Sequence, residues 1–258
     1  MPRPTFTARL SRPLRALGLT AVLALGAALP ASAEMSEAER EAFRAEVRAY
    51  LLDHPEVLIE AMDVLQGKQE VAAAERDIQM LIDNGDAIYR NPADWAGGNL
   101  EGDITLVEFM DYRCGYCRKA YADVEELIKS DGNIRFVLKE FPILGEQSTL
   151  SSQFAIAVHQ LFGNDAYKAA HDALMGLRGD VTPETLARLA ADLGHDAEAV
   201  SARMKSPEVA AVIEENHRLA SLMEINGTPA FVIDQTMVRG YVPLDGMRQI
   251  VAGQRNDG

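Results

Sequence analysis

The sequence predicts an α/β protein whose sheet is covered by helices on both sides. Two observations carry that expectation. Residues 103–110, DITLVEFM, are apolar on both faces of an extended strand, with Ile104, Leu106 and Met110 on one and Val107 and Phe109 on the other. That is the pattern of a strand buried between two layers. Beyond it, strand-like and helix-like segments alternate, as in sheet-and-helix sandwiches. At 258 residues and 48% hydrophobic composition, the chain is long enough to bury a full core.

Taken in order, the first element is a leader. Residues 1–33 combine Arg3, Arg9, Arg12 and Arg15 with an uncharged run from Ala16 to Leu29 and the small residues Ala31-Ser32-Ala33. A basic start, a short apolar core and a small-residue exit predict a signal peptide cleaved after Ala33. The apolar run is short of the roughly 20 residues that a membrane span needs. Removing four Arg takes the net charge from −14 to −14 − 4 = −18. So acidic a body argues against nucleic acid and anionic membranes as partners, because affinity for phosphates rests on Lys and Arg.

Residues 34–98 predict an N-terminal helical region and a linker. Ser36 and Glu39 have the spacing of a capping box, and Phe43, Val47, Tyr50 and Leu51 share one helical face. Pro55 suits the first turn of a second helix with Val57, Leu58, Met62 and Leu65 on its apolar side. A third helix is expected after Gly67, with Val71, Ile78, Leu81 and Ile82. Such short amphipathic pieces bury little alone, so they pack on the main domain or on copies of themselves. Asn91-Pro92 and Gly97-Gly98 mark the linker.

Residues 99–258 form the main domain. After the strand at 103–110 come a helix from Arg118 to Lys129 and a second strand from Ile134 to Leu138. A long helical stretch follows, about 148–223, with starts at Thr182-Pro183 and Ser206-Pro207 and a stop at Gly194. Strand character returns at Ala230–Ile233 and Met237–Val238 across an Asp234-Gln235-Thr236 turn, and Leu244–Val251 closes with a helix.

Cys114 and Cys117, in CGYC, are the only cysteines. The spacing admits a crosslink, half of a metal site or a redox couple. A bridge around two residues removes little chain entropy, so it makes a poor staple. A zinc site lacks a second cysteine pair, and His54, His159, His171, His195 and His217 show no HxxxH spacing, so no metal and no other cofactor is expected. The redox couple remains. The order strand, loop, CGYC, helix puts Cys114 at a helix N-terminus, where free N–H groups and the helix dipole favour a thiolate. Cys114 is then the attacking sulfur and Cys117, one turn inside, the resolving thiol.

Glu108 lies six residues before Cys114 among apolar strand neighbours, a costly place for a carboxylate unless it is protonated or paired. It is expected beneath the dithiol as a proton relay for Cys117, the alternative being a half-exposed acid without a role. Lys139 is a candidate partner for it, or an exposed lysine. Thr228-Pro229 precedes the strand AFVI, and from sequence alone that bond is expected trans.

Five segments in order, EFMDYRCGYCRKAY (108–121), KEFPILG (139–145), HDALMG (171–176), INGTPAFVI (225–233) and VRGYVPL (238–244), resemble the DsbA family of exported thioredoxin-fold oxidoreductases over roughly residues 100–254. The resemblance implies a thioredoxin fold with an inserted helical domain at about 148–223. It also implies a cis Pro229, a substrate contact at Gly115, Tyr116, Thr228 and Pro229, and a buried acid at Glu108. Gly115-Tyr116 departs from the Pro-His of the oxidant DsbA and, with Thr228 before the proline, is similar to the isomerases DsbC and DsbG. The helical leader resembles the ScsC-like branch, whose N-terminal helices assemble oligomers; the DsbC dimerisation module is absent from the sequence.

The function implied is a periplasmic thiol-disulfide interchange protein that reduces or isomerises disulfides of unfolded or misoxidised exported proteins. A membrane redox partner would reset its dithiol, and the N-terminal helices would make it a homo-oligomer. The alternatives are a DsbA-like dithiol oxidase and, in another class, a Cu(I)-binding or holdase module, since soft thiolates select that metal.

Overall fold

The computed structural model describes residues 35–257, and the signal peptide expected at 1–33 lies outside them. The chain divides into two units after Met62. In the first, α1 (Glu37–Asp53) starts at Ser36, whose hydroxyl accepts the Glu39 N–H while the Glu39 carboxylate accepts the Ser36 N–H at 2.8 Å. The capping box is thus formed. No residue of α1 is buried, and Phe43, Val47 and Tyr50 stay open.

Helix α2 (Glu56–Asp83) begins after Pro55 and runs through Gly67 without a break, so no separate third helix starts there. An interior glycine costs about 1 kcal/mol relative to alanine. Gln66, Lys68, Gln69 and Glu70 around it are good helix formers, which is enough to keep the helix continuous.

In the second unit, the short α3 (Gly85–Tyr89) leads into β1 (Trp95–Gly98). The rest of the sheet is β2 (Ile104–Met110), β3 (Ile134–Glu140), β4 (Ala230–Ile233) and β5 (Thr236–Arg239), in the order β1-β3-β2-β4-β5. Strand β1 corrects the expected linker: it pairs antiparallel with β3, Trp95 opposite Leu138 and Gly98 opposite Arg135. The glycines there serve packing. A Cβ on Gly97 would stand 2.2 Å from the Trp95 ring, and Gly98 has a φ of +67°.

Strands β2 and β3 run parallel, whereas β4 pairs antiparallel with both β2 and β5. The β4–β5 turn has two residues, Asp234 and Gln235, since Ile233 already faces Thr236. Helix α4 (Gly115–Asp131) follows β2, and α10 (Leu244–Asp257) closes the chain. Five helices stand between β3 and β4: α5 (Glu146–Phe162), α6 (Asn164–Gly176), α7 (Pro183–Asp192), α8 (Ala197–Met204) and α9 (Pro207–Leu222). Thr182 and Ser206 cap α7 and α9 as their Thr-Pro and Ser-Pro pairs predict, accepting the N–H groups of Thr185 and Val209.

The two faces of β2 feed two cores. Leu106 and Met110 join α4 (Ala120, Val124, Leu127) and α10 (Met247, Val251), while Val107 and Phe109 join Leu81, Ile88, Leu219 and Met223. Among the described residues no helix is long and apolar enough to cross a membrane.

Candidate functional site

The double burial of β2 sends its end straight into the dithiol. Cys114 is the N-cap of α4, in extended conformation at φ −74° and ψ 121°, and its sulfur accepts the Cys117 N–H at 3.5 Å. Both cysteines are free thiols, Cys114 nearly and Cys117 fully buried. The pairing of Ala230 with Phe109 brings the start of β4 alongside the end of β2. There the Thr228–Pro229 bond is cis, and the Thr228 carbonyl lies 3.2 Å from the Cys114 sulfur, within reach of its proton when the thiol is protonated.

The two thiols are driven apart electrostatically. Cys114 is pulled down to about 5, first by the hydrogen bond from the Cys117 side chain, then by the Thr228 side chain and the N–H groups of Cys117 and Tyr116, against the opposing effect of burial. Cys117 is pushed far up by donating that hydrogen bond, by burial and by the charge of Glu108. One sulfur is a thiolate at neutral pH and the other keeps its proton.

Glu108 faces Leu138 on β3 and Phe231 on β4, and its Oε1 has no hydrogen-bond partner. Its carboxyl is pushed up to about 8 by burial first, then by the charges of Cys114 and Glu125. Lys139 is not its partner. Parallel register places Lys139 beside Phe109, and alternation of side chains puts it on the opposite face of the sheet from Glu108. Fully buried, Lys139 pairs instead with Asp94 and donates to the Ala87 carbonyl. Gly115 and Tyr116 are exposed; a Cβ on Gly115 would meet nothing within 4 Å, and Tyr116 stacks on Tyr241 at 6.2 Å.

Sequence reasoning missed a second set of buried groups around the dithiol loop. Asp111 accepts the N–H groups of Arg113 (2.7 Å), Ile143 (2.8 Å) and Leu144 (3.1 Å), tying the loop to the segment before α5. Glu140 accepts from Tyr112 at 2.8 Å and Tyr167 at 2.6 Å, and burial pushes it up to about 7. With the Tyr112 proton directed at Glu140, its oxygen is left to accept from His171 Nδ1–H at 3.1 Å. His171 itself is held neutral, its pKa lowered to about 3 by burial. Glu140 carried the same signal as Glu108, an acid in an apolar strand, but its partners lie 27 and 28 residues away.

A low-pKa thiol at a helix N-cap, a second buried thiol one turn inside the helix and a cis-proline segment across from them are the arrangement of a thioredoxin-type dithiol protein. The comparisons agree. The chain matches the DSBA-like thioredoxin domain over residues 105–252 and belongs to that family. Residues 39–72 match the N-terminal domain of the copper resistance protein ScsC.

Among solved structures, a thioredoxin-like oxidoreductase from Silicibacter pomeroyi DSS-3 is 39% identical, covering 66% of this chain and 97% of its own, at a TM-score of 0.62. Proteus mirabilis ScsC in a transitional conformation is 27% identical, covering 87% and 100%, at 0.64. A periplasmic thioredoxin-like protein from Salmonella enterica serovar Typhimurium is 25% identical, covering 66% and 94%, at 0.58. Among curated relatives, a Na(+)/H(+) antiporter NhaA from Salinispora arenicola is 27% identical over 158 residues, and the chain spans about a quarter of its length (24%).

Proposed function

We propose that this protein is a periplasmic thiol-disulfide oxidoreductase that reduces or isomerises disulfides of misoxidised exported proteins. The observation that carries the reading is the opposite perturbation of two sulfurs one helical turn apart, Cys114 pulled down to about 5 and Cys117 pushed up. The basic, apolar and small-residue leader at 1–33 supports export.

The Cys114 thiolate attacks one sulfur of a substrate disulfide; the substrate S–S bond breaks, and the departing sulfur leaves as a thiolate. Gly115, Tyr116, Thr228 and Pro229 line the approach of the substrate chain. In isomerisation that freed thiolate attacks another substrate disulfide, a substrate sulfur returns to displace Cys114 as a thiolate, and no net electrons move. In reduction the Cys114 thiolate charge that helps keep Glu108 protonated is lost in the mixed disulfide; Glu108, once ionised, takes the Cys117 proton, and Cys117 attacks Cys114, expelling the second substrate thiolate. The substrate gains two electrons and two protons, one proton from Cys117 by way of Glu108 and one from water, and a membrane redox partner supplies two electrons, with one proton from water, to restore the thiolate–thiol pair.

The exposed apolar residues of α1 and early α2, Phe43, Val47, Leu52, Leu58 and Ile59, support assembly of several copies. Gly115-Tyr116 with Thr228 favours reshuffling over oxidation. The test compares the full mature chain with one truncated after Met62 on a scrambled disulfide protein. The full chain is expected to scatter light as an oligomer and to restore native disulfides, and the truncated chain to be a monomer that retains dithiol oxidation only. A full-length monomer would overturn the assembly and favour the oxidase.

A further inference from the structure

This chain carries 25 Lys and Arg against 39 Asp and Glu, yet cations gather at the dithiol. Arg113 donates to the Gly179 carbonyl at 2.9 Å. Arg118 donates to the carbonyls of Tyr112 and Leu177, both at 2.8 Å. The two guanidiniums therefore hold the loop 177–179 against residues on either side of Cys114, and Arg178 stands exposed on that loop. Burial first, then the charges of Arg113 and Arg178, lower the Arg118 pKa, so the three guanidiniums share one field. Lys119 lies 4.3 Å from the centre of the Tyr241 ring, which stacks on Tyr116 between the cysteines.

None of these four side chains forms an ion pair with a carboxylate among the described residues, whereas Lys168, Arg218, Arg239 and Arg255 do. Three acids close to them in sequence accept from neutral donors instead of pairing with these cations. Asp111 takes three backbone N–H groups, Asp123 accepts from Tyr241 at 2.7 Å, and Asp180 accepts from Gln147 at 3.2 Å. Carbonyls satisfy the Arg113 and Arg118 hydrogen bonds without neutralising their charge, and no carboxylate among the described residues makes an ion pair with them.

We propose that Arg113, Arg118, Lys119 and Arg178 form an electropositive rim that selects acidic, cysteine-containing segments of unfolded polypeptides as exchange partners. The proposal rests on Cys114 being the exchanging thiol. A negative segment is drawn to the rim at docking distance, whereas the acidic charge on the rest of the molecule is screened beyond about 8 Å at physiological salt. Complementary charge of this kind acts mainly on encounter rate and partner choice.

The test uses the reduced full mature chain and three peptides of equal length. Each carries one cysteine in a mixed disulfide with the same chromophoric thiol, and the flanks are Asp/Glu, Ser/Gly or Lys/Arg. At low salt the acidic peptide is expected to react about tenfold faster than the basic one. At molar salt, where screening acts within about 3 Å, the ratio should approach one. In the double variant Lys119→Glu with Arg178→Glu, which leaves two cations against two anions at the rim, the ratio should fall to about one. The ratio cancels any general change in activity, and the salt series on the unaltered protein does not depend on how the variant folds. Equal low-salt rates for all three peptides, or a ratio untouched by charge reversal, would overturn the rim and leave exchange at Cys114 standing. No reaction even with the neutral peptide would overturn the exchange reading and the rim together.

Discussion

Glu108→Gln takes one titration out of the interior while keeping the shape of the side chain and its unpartnered oxygen. Glu108 is raised from 4.5 to about 8. Between those values the folded chain binds more protons than the unfolded one, so stability falls as pH rises through the window, and the whole penalty stands above pH 8. At about 1.36 kcal/mol per unit, the penalty at pH 7 is about 3 kcal/mol and close to zero at pH 4.5. Gln titrates nowhere. The reduced variant should therefore be about 3 kcal/mol more stable than the parent at pH 7, roughly 6–12 °C in Tm, and equal to it at pH 4.5. Part of the shift comes from the Cys114 thiolate, so the gain should be smaller in the oxidised protein. Urea unfolding of both proteins across pH 4.5–8 reads the difference. A stability difference that does not change with pH would refute the argument, and exchange as fast as in the parent would refute the proton relay to Cys117.

Asp94→Asn strands the buried Lys139 ammonium with the Ala87 carbonyl as its remaining partner; such a loss costs about 3–5 kcal/mol, readable by urea denaturation. Truncation after Met62 should leave the catalytic unit folded, but truncation after Tyr89 removes Leu81 and Ile88 from the core. At about 2–5 kcal/mol for each lost large side chain, the longer deletion should melt far lower by circular dichroism. Cys117→Ala should raise the Cys114 pKa above about 5, since its largest stabilising hydrogen bond is gone; thiolate absorbance against pH measures it.

Local patterns were legible in the sequence, and long-range choices were not. The two apolar faces of DITLVEFM predicted a strand between two cores, and the Ser36, Thr182 and Ser206 caps stand where their side chains bond backbone a few residues on. The position of Cys114 at a helix N-cap followed from the order strand, loop, helix. Gly97-Gly98 misled because a glycine that breaks a chain and one that admits a folded-back indole look alike until Trp95 is placed. Gly67 misled because its helix-forming neighbours outweigh it. Lys139 is neither of the two things its place at a strand end suggested, a partner of Glu108 or an exposed lysine, because the strand register decides the face, and no sequence pattern states the register. The network of Glu140, Tyr112, Tyr167 and His171 joins three distant segments that only the packed helices bring together.

The central claim, that Cys114 is the sulfur that exchanges with substrate, is tested most directly by trapping. Cys117→Ala, mixed with a scrambled disulfide protein and quenched in acid, should accumulate a covalent enzyme–substrate adduct with a mass equal to the sum of the two chains. Peptide mapping should place the bond on Cys114, and Cys114→Ala should give no comparable adduct. An adduct carried by Cys117 in the Cys114→Ala protein at an equal rate, or no adduct from Cys117→Ala, would contradict the account.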